Sequence, residues 1–353
     1  MTILSRGRVQ ADDLAEIAAL EAQDRKADAF ERIRSLLHNK RYRVDGWLHY
    51  ADMLTRAFQH DAALTAVKTA IQESGGVEAF RRAEERSIIV VFANCHGKAI
   101  CATLKSLADI REKYLFIGIY NSPPSALTDT ITQVADAVVF QSTAWNESAA
   151  DEFLDRFPPS VRIVRIPAVT SLIFWPYYVQ APVKKDEEGR PLYRYAYGDR
   201  FIDQRVRAGR RSEEIVTEYM ALNVPKAASL DRLMVAEGQK ERAKELATDV
   251  LVRDWIEARF VESPMFHTPN HPTQTLINEI TRQIVGHLDI AIDLDTLSVE
   301  EYPETSAVEH PIHPLTVEYL GLRYRKPEDA FRLSRGGLLT FPQFIPRYIE
   351  GSI

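Results

Sequence analysis

The pattern of hydrophobic and polar residues changes character near residue 87. Residues from about 10 to 78 place apolar side chains at helical spacing. From residue 87 onward, short apolar runs rich in β-branched residues alternate with helix-like stretches, which is typical of a parallel sheet with helical crossovers. The runs cover residues 87–93, 114–120, 137–143 and 161–169. We therefore predict an α/β fold that follows an all-helical region.

The helical region shows a repeat spacing of about 34 residues, which is typical of tetratricopeptide repeats. The positions where such a repeat places its packing residues are Trp47, Ala51, Leu54, Ala63, Val67 and Ala70. One repeat earlier stand Asp13, Ile17, Leu20, Ala29, Ile33 and Leu36, and all of these except Asp13 are apolar. An ordinary pair of helical hairpins is the alternative. Since two repeats are too few to stand alone, we expect residues 1–80 to pack on the following domain or on a partner protein.

The second half of the chain is predicted to be largely helical. Helical patterns run from about 199 to 290 and include one long helix from about 228 to 262. The charged segment 181–192 contains Gly and Pro and is typical of a surface loop. Residues 326–353 show no clear period and form a predicted C-terminal tail. The α/β domain is therefore predicted over residues 87–325.

The amino-acid composition excludes several classes of protein. The 353 residues carry 44 Lys and Arg against 50 Asp and Glu, a net charge of -6, which disfavours broad electrostatic capture of nucleic acid. The two cysteines are too few for a disulfide framework or a zinc cage and fit a reducing compartment. No stretch approaches the roughly 18 uncharged apolar residues of a membrane span, and no secretory signal pattern is present. We predict a cytoplasmic protein with no membrane span, no metal and no nucleic-acid partner.

Functional loops of a parallel sheet lie at the carboxyl ends of its strands, which here are NCHG, NSPPS, QSTAWN and PAVTSLIFWPYY. The first of these places Asn94, Cys95, His96 and Gly97 at a strand-to-helix turn. The helix dipole and free N–H groups are predicted to lower the pKa of Cys95 and to hold an oxyanion or a phosphate. Gly97 would let the backbone approach a ligand closely. The alternative is a buried structural cysteine, the role that we also predict for Cys101.

Two histidine-rich segments follow later in the chain. His267, Asn270 and His271 crowd into the segment 266–273 before a helix, where Pro272 fits the first turn. A histidine base there would suit acyl transfer, whereas the alternative is a capping Asn beside surface histidines. His310 and His313 lie in a His-Pro-rich segment that could line a cleft or form a rigid turn.

Charged residues offer supporting roles. Asp249 and Asp254, on the predicted long helix, are candidates to orient a histidine, as a carboxylate does in a catalytic triad. A basic cluster that could meet phosphates consists of Arg200, Arg205, Arg207, Arg210 and Arg211. Solvated helix faces are the alternative for both sets.

These pieces occur in an order that resembles one known family. SIIVVFANCHGKAICATLKSL resembles the opening strand, turn and helix of the WcbI-like polysaccharide biosynthesis family, the capsule acetyltransferases. DVLVRDWIEARFVESPMFHTPNHPTQTLINEI and HPIHPLTVEYLGL are similar to its downstream and C-terminal blocks. The resemblance covers roughly residues 87–325 and leaves out the helical N-terminus.

The resemblance implies a protein that binds coenzyme A or acetyl-CoA and acts on a bacterial surface glycan. It also implies a fold related to the SGNH hydrolases, with Cys95 at the nucleophile position and His271 or His267 as the late histidine. The chain departs from the pattern at His96, where glutamine is common, and no Asp lies three residues before either histidine. The orienting acid therefore stays open.

We hypothesise a CoA-dependent O-acetyltransferase that modifies a sugar hydroxyl. In one route Cys95 takes the acetyl group as a thioester; in the other a histidine deprotonates the hydroxyl for direct attack while Cys95 and Asn94 shape the oxyanion site. Asn270 would assist the histidine, and His96, Gly97, Lys98 and Arg205 would bind the cofactor, the two cations at its phosphates. The alternatives are a glycan esterase of SGNH type and a non-catalytic CoA-binding scaffold whose N-terminal helices bind a partner.

Overall fold

The order of helices and strands follows the sequence pattern closely in the first half of the chain. The computed structural model describes residues 9–23, 25–39, 42–56, 59–84, 86–121, 128–143, 150–180, 197–293, 296–297, 306–333 and 337–351. The predicted surface loop 181–192 lies outside these ranges. The chain divides into two units: Met1–Ala168 with Thr281–Leu297, and Val169–Ile280 with Ser298–Ile353.

Helices form the N-terminal part of the first unit, as their periodicity predicts. They are α1 (Ala11–Ala22), α2 (Lys26–Leu37), α3 (Arg43–Arg56), α4 (His60–Glu73) and α5 (Val77–Ala83). The small residues Ala29 and Ala63 are buried. Helices α3 and α4 share one hydrophobic cluster with residues of the sheet, which confirms that this region packs on the domain that follows. The tetratricopeptide character and the partner protein stay predictions.

A parallel sheet with strand order β2-β1-β3-β4 forms the rest of this unit's core. Its strands are β1 (Ser87–Ala93), β2 (Tyr114–Tyr120), β3 (Ala137–Ser142) and β4 (Arg162–Pro167). Helices α6 (Cys95–Ser106) and α7 (Ala108–Lys113) lie between β1 and β2, while α8 (Asp129–Val134) precedes β3 and α9 (Ala150–Leu154) precedes β4. Parallel pairing requires such crossovers. Every residue of β1 after Ser87 is buried, as expected for a strand covered on both faces. The predicted α/β fold is confirmed.

The second unit combines helices with two-stranded antiparallel sheets. Its strands pair as β5 (Tyr178–Gln180) with β6 (Tyr197–Asp199), β7 (Phe266–Thr268) with β8 (His271–Pro272), and β9 (Ala330–Leu333) with β10 (Gly337–Thr340). Its helices are α10 (Arg200–Arg207), α11 (Ser212–Ala221), α12 (Val224–Ala227), α13 (Leu230–Glu245), α14 (Arg253–Glu257), α16 (Pro314–Leu320) and α17 (Phe341–Glu350). Helix α15 (Gln274–His287) contains the boundary between the units.

The single long helix predicted from 228 to 262 is wrong. Helix α13 ends at Glu245 and the separate helix α14 begins at Arg253. The Glu245 carboxylate accepts hydrogen bonds from the backbone N–H groups of Val252 (2.6 Å) and Arg253 (2.7 Å). This side chain therefore anchors the start of α14 and holds the intervening residues in a turn.

The C-terminal residues, for which the sequence showed no period, form the paired strands β9 and β10 and helix α17. Phe341, Phe344 and Ile345 of α17 are buried in a hydrophobic cluster with α10 and α11. The segment therefore contributes core side chains to the second unit. Within the described residues, no helix is both long enough and apolar enough to cross a bilayer.

Candidate active site

The turn after β1 is built by Asn94 and the first residues of α6. Asn94 is the N-cap of α6, and its side-chain oxygen accepts a hydrogen bond from the backbone N–H of His96 at 2.9 Å. Cys95 is the first helical residue, and its Sγ lies 3.9 Å from the same Asn94 oxygen. Capping by Asn satisfies a helix N–H group that would otherwise lack a partner. The turn therefore holds Cys95 at the carboxyl edge of the sheet, as predicted.

The predicted activation of Cys95 as a thiolate is wrong. Burial of the side chain raises the pKa of Cys95 to about 11, although the Lys98 charge and nearby backbone N–H groups lower it in part. Burial therefore outweighs the effect of the helix N-terminus, and the pKa direction favours the neutral thiol at neutral pH. Cys101 is buried, and burial raises the pKa of its thiol to about 12, in keeping with its predicted core role.

Gln141, which the sequence did not single out, links the ends of all four strands. Its Oε1 accepts hydrogen bonds from the backbone N–H of Asn94 (2.9 Å) and the side chain of Asn121 (3.5 Å). Its Nε2 faces His96 Nδ1 (3.0 Å) and the carbonyl oxygen of Pro167 (3.4 Å). Gln141 is fully buried near the end of β3, and Asn121 directly follows β2. The sequence feature that could have identified Gln141 is a polar residue near the end of an otherwise apolar strand.

Gly97 serves helix packing in this structure. A Cβ atom added to Gly97 would lie 2.7 Å from the Ala93 Cβ and 3.3 Å from Val91 Cγ1. Only glycine therefore lets α6 lie this close to β1. The predicted approach of this backbone to a ligand stays a prediction. Lys98, also predicted to bind cofactor, is buried on α6, and its charge acts on Cys95.

The second group of predicted residues lies in the second unit, on the β7–β8 hairpin. His267 and His271 are partly buried, and Asn270 is exposed between the two strands. The prediction that Pro272 lies in the first turn of the following helix is wrong. Pro272 belongs to strand β8, and helix α15 begins at Gln274. The backbone carbonyl of His267 accepts a hydrogen bond from the His310 N–H at 2.8 Å, which joins the hairpin to the His-Pro-rich segment.

Tyrosines surround His271 and Asn270. The Tyr197 hydroxyl lies 3.0 Å from His271 Nδ1, and the Asn270 side-chain N–H donates to the Tyr178 hydroxyl at 3.3 Å. Tyr197 and Tyr178 stand on the paired strands β6 and β5, and their ring centroids are 6.1 Å apart. Tyr197 thus occupies the hydrogen-bonding position at Nδ1 for which the sequence analysis offered Asp249 and Asp254. It lies 74 residues from His271 along the chain, and no motif connects them.

His310 and His313 have structural surroundings. His310 is packed among aromatic rings, including those of Trp175 and Tyr197, and burial lowers its pKa to about 3. His313 caps helix α16: its Nδ1 accepts from the Leu315 N–H at 3.2 Å. The rigid-turn alternative therefore describes this segment.

Several of the acidic and basic residues proposed for supporting roles form ion pairs with other charged side chains. Asp254 is 92% exposed and pairs with Arg253, so it orients no histidine in this structure. Arg205 donates to Glu218 at 2.9 Å and its guanidinium lies over the Phe201 ring. Arg210 also pairs with Glu218, which neutralises part of the predicted basic cluster. A role for Arg205 at a phosphate stays a prediction. Among the residues described, no group of three or more His, Cys, Asp or Glu is arranged to hold a metal ion.

The structure brings Asn94, Cys95, His96, Gly97 and Lys98 together in the first unit. It places His267, Asn270 and His271 together in the second unit.

Comparisons with known proteins agree with the sequence resemblance. The model of a family described as polysaccharide biosynthesis enzyme WcbI matches residues 88–292. A solved structure shares the fold with a TM-score of 0.59 and 14% sequence identity, and the match covers 75% of this chain and 89% of that one. That protein is described as WcbI, a novel polysaccharide biosynthesis enzyme, in its native form without a disulfide bond between coenzyme A and a cysteine. No curated protein matches the chain.

Proposed function

Because this chain belongs to the WcbI family of polysaccharide biosynthesis enzymes, we propose that it transfers an acetyl group from acetyl-CoA to a sugar hydroxyl of a bacterial surface polysaccharide. The observation that carries the proposal is Cys95, which lies at the carboxyl edge of the sheet within the matched region. The solved WcbI structure is described by reference to coenzyme A and a cysteine, and we propose that Cys95 corresponds to that cysteine. We further propose that the sheet is related to that of SGNH hydrolases.

We favour direct transfer over a Cys95 thioester, because the described contact of the Cys95 Sγ is the Asn94 amide oxygen at 3.9 Å and not a base, and because burial raises the pKa of the thiol. In direct transfer, the hydroxyl oxygen of the sugar attacks the thioester carbonyl carbon as its proton passes to a histidine. The resulting oxyanion collapses, the C–S bond breaks, and the CoA thiolate takes the proton back from the histidine. Cys95 forms no covalent bond to the acetyl group in this route.

His271 is the proposed base. The Tyr197 oxygen is 3.0 Å from its Nδ1 and can accept the Nδ1 proton, which leaves the Nε2 lone pair to take a proton from the sugar. Tyr197 would thereby do what a carboxylate does in a triad, through a weaker, neutral hydrogen bond. Asn270 and His267 would border the acceptor. Supporting this choice, His310 is the other histidine of this aromatic group and is buried with a pKa of about 3.

The direct route is tested with acetyl-CoA and de-O-acetylated capsular oligosaccharides, by measuring release of CoA thiol. We expect release that depends on the oligosaccharide, with Cys95→Ala losing less than about tenfold in kcat, since a neutral thiol supplies at most one weak hydrogen bond. Acid-quenched protein should carry no acetyl group. If the acid-quenched wild-type protein carries an acetyl group and the Cys95→Ala protein does not, the thioester route is established.

Two further outcomes would contradict the proposal itself. Calorimetric titration with CoA that shows no heat, together with acetate release from an acetylated oligosaccharide, would identify an esterase. A protein that neither binds CoA nor turns over substrate, and that loses a partner protein when residues 1–80 are deleted, would be a scaffold.

A further inference from the structure

The orientation of the Gln141 side chain determines which ring nitrogen of His96 carries the proton. The backbone N–H of Asn94 can only donate, and it lies 2.9 Å from one terminal atom of the Gln141 amide. That atom must be the carbonyl oxygen, because an NH₂ group there would set donor against donor. The Gln141 amide therefore has one acceptable orientation, and its Nε2 is the atom on the opposite side.

Nε2 of Gln141 then faces two partners. One is the carbonyl oxygen of Pro167 at 3.4 Å, which can only accept, and the other is His96 Nδ1 at 3.0 Å. An amide nitrogen has no acceptor capacity, so Nδ1 must offer its lone pair to the Gln141 N–H. A neutral imidazole with an unprotonated Nδ1 carries its hydrogen on Nε2.

We propose that Gln141 is a positioning residue that holds His96 in its Nε2–H tautomer, so that His96 does not serve as the base for the thiol of the neighbouring Cys95. This inference goes beyond the proposed function and does not rest on it, because it concerns the tautomer of a buried ring. Gln141 is fully buried and His96 nearly so, hence loss of any of these hydrogen bonds leaves a buried polar group without its partner.

The same hydrogen bonds fix the shape of the turn. Gln141 Oε1 holds the Asn94 backbone, Asn94 Oδ1 holds the His96 N–H, and Gln141 Nε2 holds the His96 ring. Protonation of His96 at Nδ1 would break the last contact. A flip of the amide to restore it would set the amide against its other three partners, Asn94, Asn121 and Pro167. The site therefore resists the proton transfer that an adjacent cysteine–histidine pair would need.

The tautomer is measured directly by ¹H–¹⁵N NMR on the full-length protein with ¹⁵N-labelled histidine, and the His96 signals are assigned by their loss in His96→Gln. We expect an Nε2–H tautomer in the wild type. Gln141→Glu replaces the donor at Nε2 with a carboxylate oxygen, so the His96 signals should move to an Nδ1-protonated form. The matched control, Gln133→Glu on an exposed side chain of α8, should leave them unchanged. A wild-type His96 protonated at Nδ1 would overturn the proposal.

The proposal and the proposed function fail separately. The NMR experiment needs no turnover, so a correct tautomer in a protein that fails to transfer acetyl groups would overturn the proposed function and leave the Gln141 assignment standing.

Discussion

The turn at Cys95 and the hairpin at His271 reach their geometry by different means. The turn is held by amide and backbone hydrogen bonds that converge on Gln141 at the strand ends of a parallel sheet. The hairpin is bordered by tyrosines from β5 and β6, whose hydroxyl groups lie within hydrogen-bond distance of His271 and Asn270. The first arrangement follows from sheet topology, whereas the second depends on residues far apart along the chain. The Cys95 turn is therefore built by hydrogen bonds from every strand of the sheet, and the His271 group by side chains from a separate pair of strands.

The largest expected effect separates the chemical roles of the two regions. His271→Gln removes the proposed base, and we expect kcat for acetyl transfer to fall by about 10²–10⁴-fold while CoA binding persists. His287→Gln, on the exposed end of α15, is the matched control and should keep wild-type turnover. If His271→Gln retains more than a third of wild-type kcat, the base lies elsewhere.

A pH experiment tests the buried carboxylate beside the tyrosine group. Burial raises the pKa of Asp199 to about 6, against which hydrogen bonds from Tyr219 and Ile202 act only in part. The folded protein then binds a proton that the unfolded chain releases between about pH 4 and 6, so this group adds stability below pH 4 that is lost as pH rises through 6.

Asp199→Asn keeps the N-cap of α10 and abolishes the titration. We expect the wild type to gain stability relative to this variant by on the order of 3 kcal/mol between pH 7 and 4, measured by urea unfolding. A difference that does not vary with pH would show that Asp199 titrates normally.

The packing of α6 on β1 is tested by Gly97→Ala. The added methyl group would lie 2.7 Å from the Ala93 Cβ, so we expect a loss of about 1–3 kcal/mol in the free energy of unfolding. Gly286→Ala, where a Cβ meets nothing within 4 Å, is the control and should be neutral or stabilising. Equal stability of the two variants would mean that α6 lies farther from β1 than described.

The smallest effect concerns Tyr197. Tyr197→Phe keeps the ring contacts and removes one neutral hydrogen bond to His271, worth about 0.5–1.5 kcal/mol, so we expect kcat to fall by at most about tenfold. Because the hydrogen bond affects the proton affinity of His271, the pH profile of kcat should also shift. A profile identical to that of the wild type would limit Tyr197 to a packing role.

The contrast between the two regions also explains what the sequence could predict. The bounds of β1 and β2 match the apolar runs, because strands buried on both faces carry an uninterrupted local signal. Cys95 could be placed at the sheet edge for the same reason. The pKa direction of its thiol could not, since the degree of burial depends on side chains distant in sequence. Tyr197 was missed for the same cause. Gln141 was missed as well, although a polar residue near the end of an apolar strand was a signal that could have found it.

The most direct test of the central claim follows the acetyl group itself. The protein is incubated with de-O-acetylated capsular oligosaccharides and with acetyl-CoA that carries deuterium in its acetyl group. The masses of the oligosaccharides are then measured by mass spectrometry. The account predicts deuterated acetyl esters on the sugar, absent with His271→Gln and retained with Cys95→Ala. Label that remains on CoA or appears only as free acetate, in a protein that binds CoA, would contradict it.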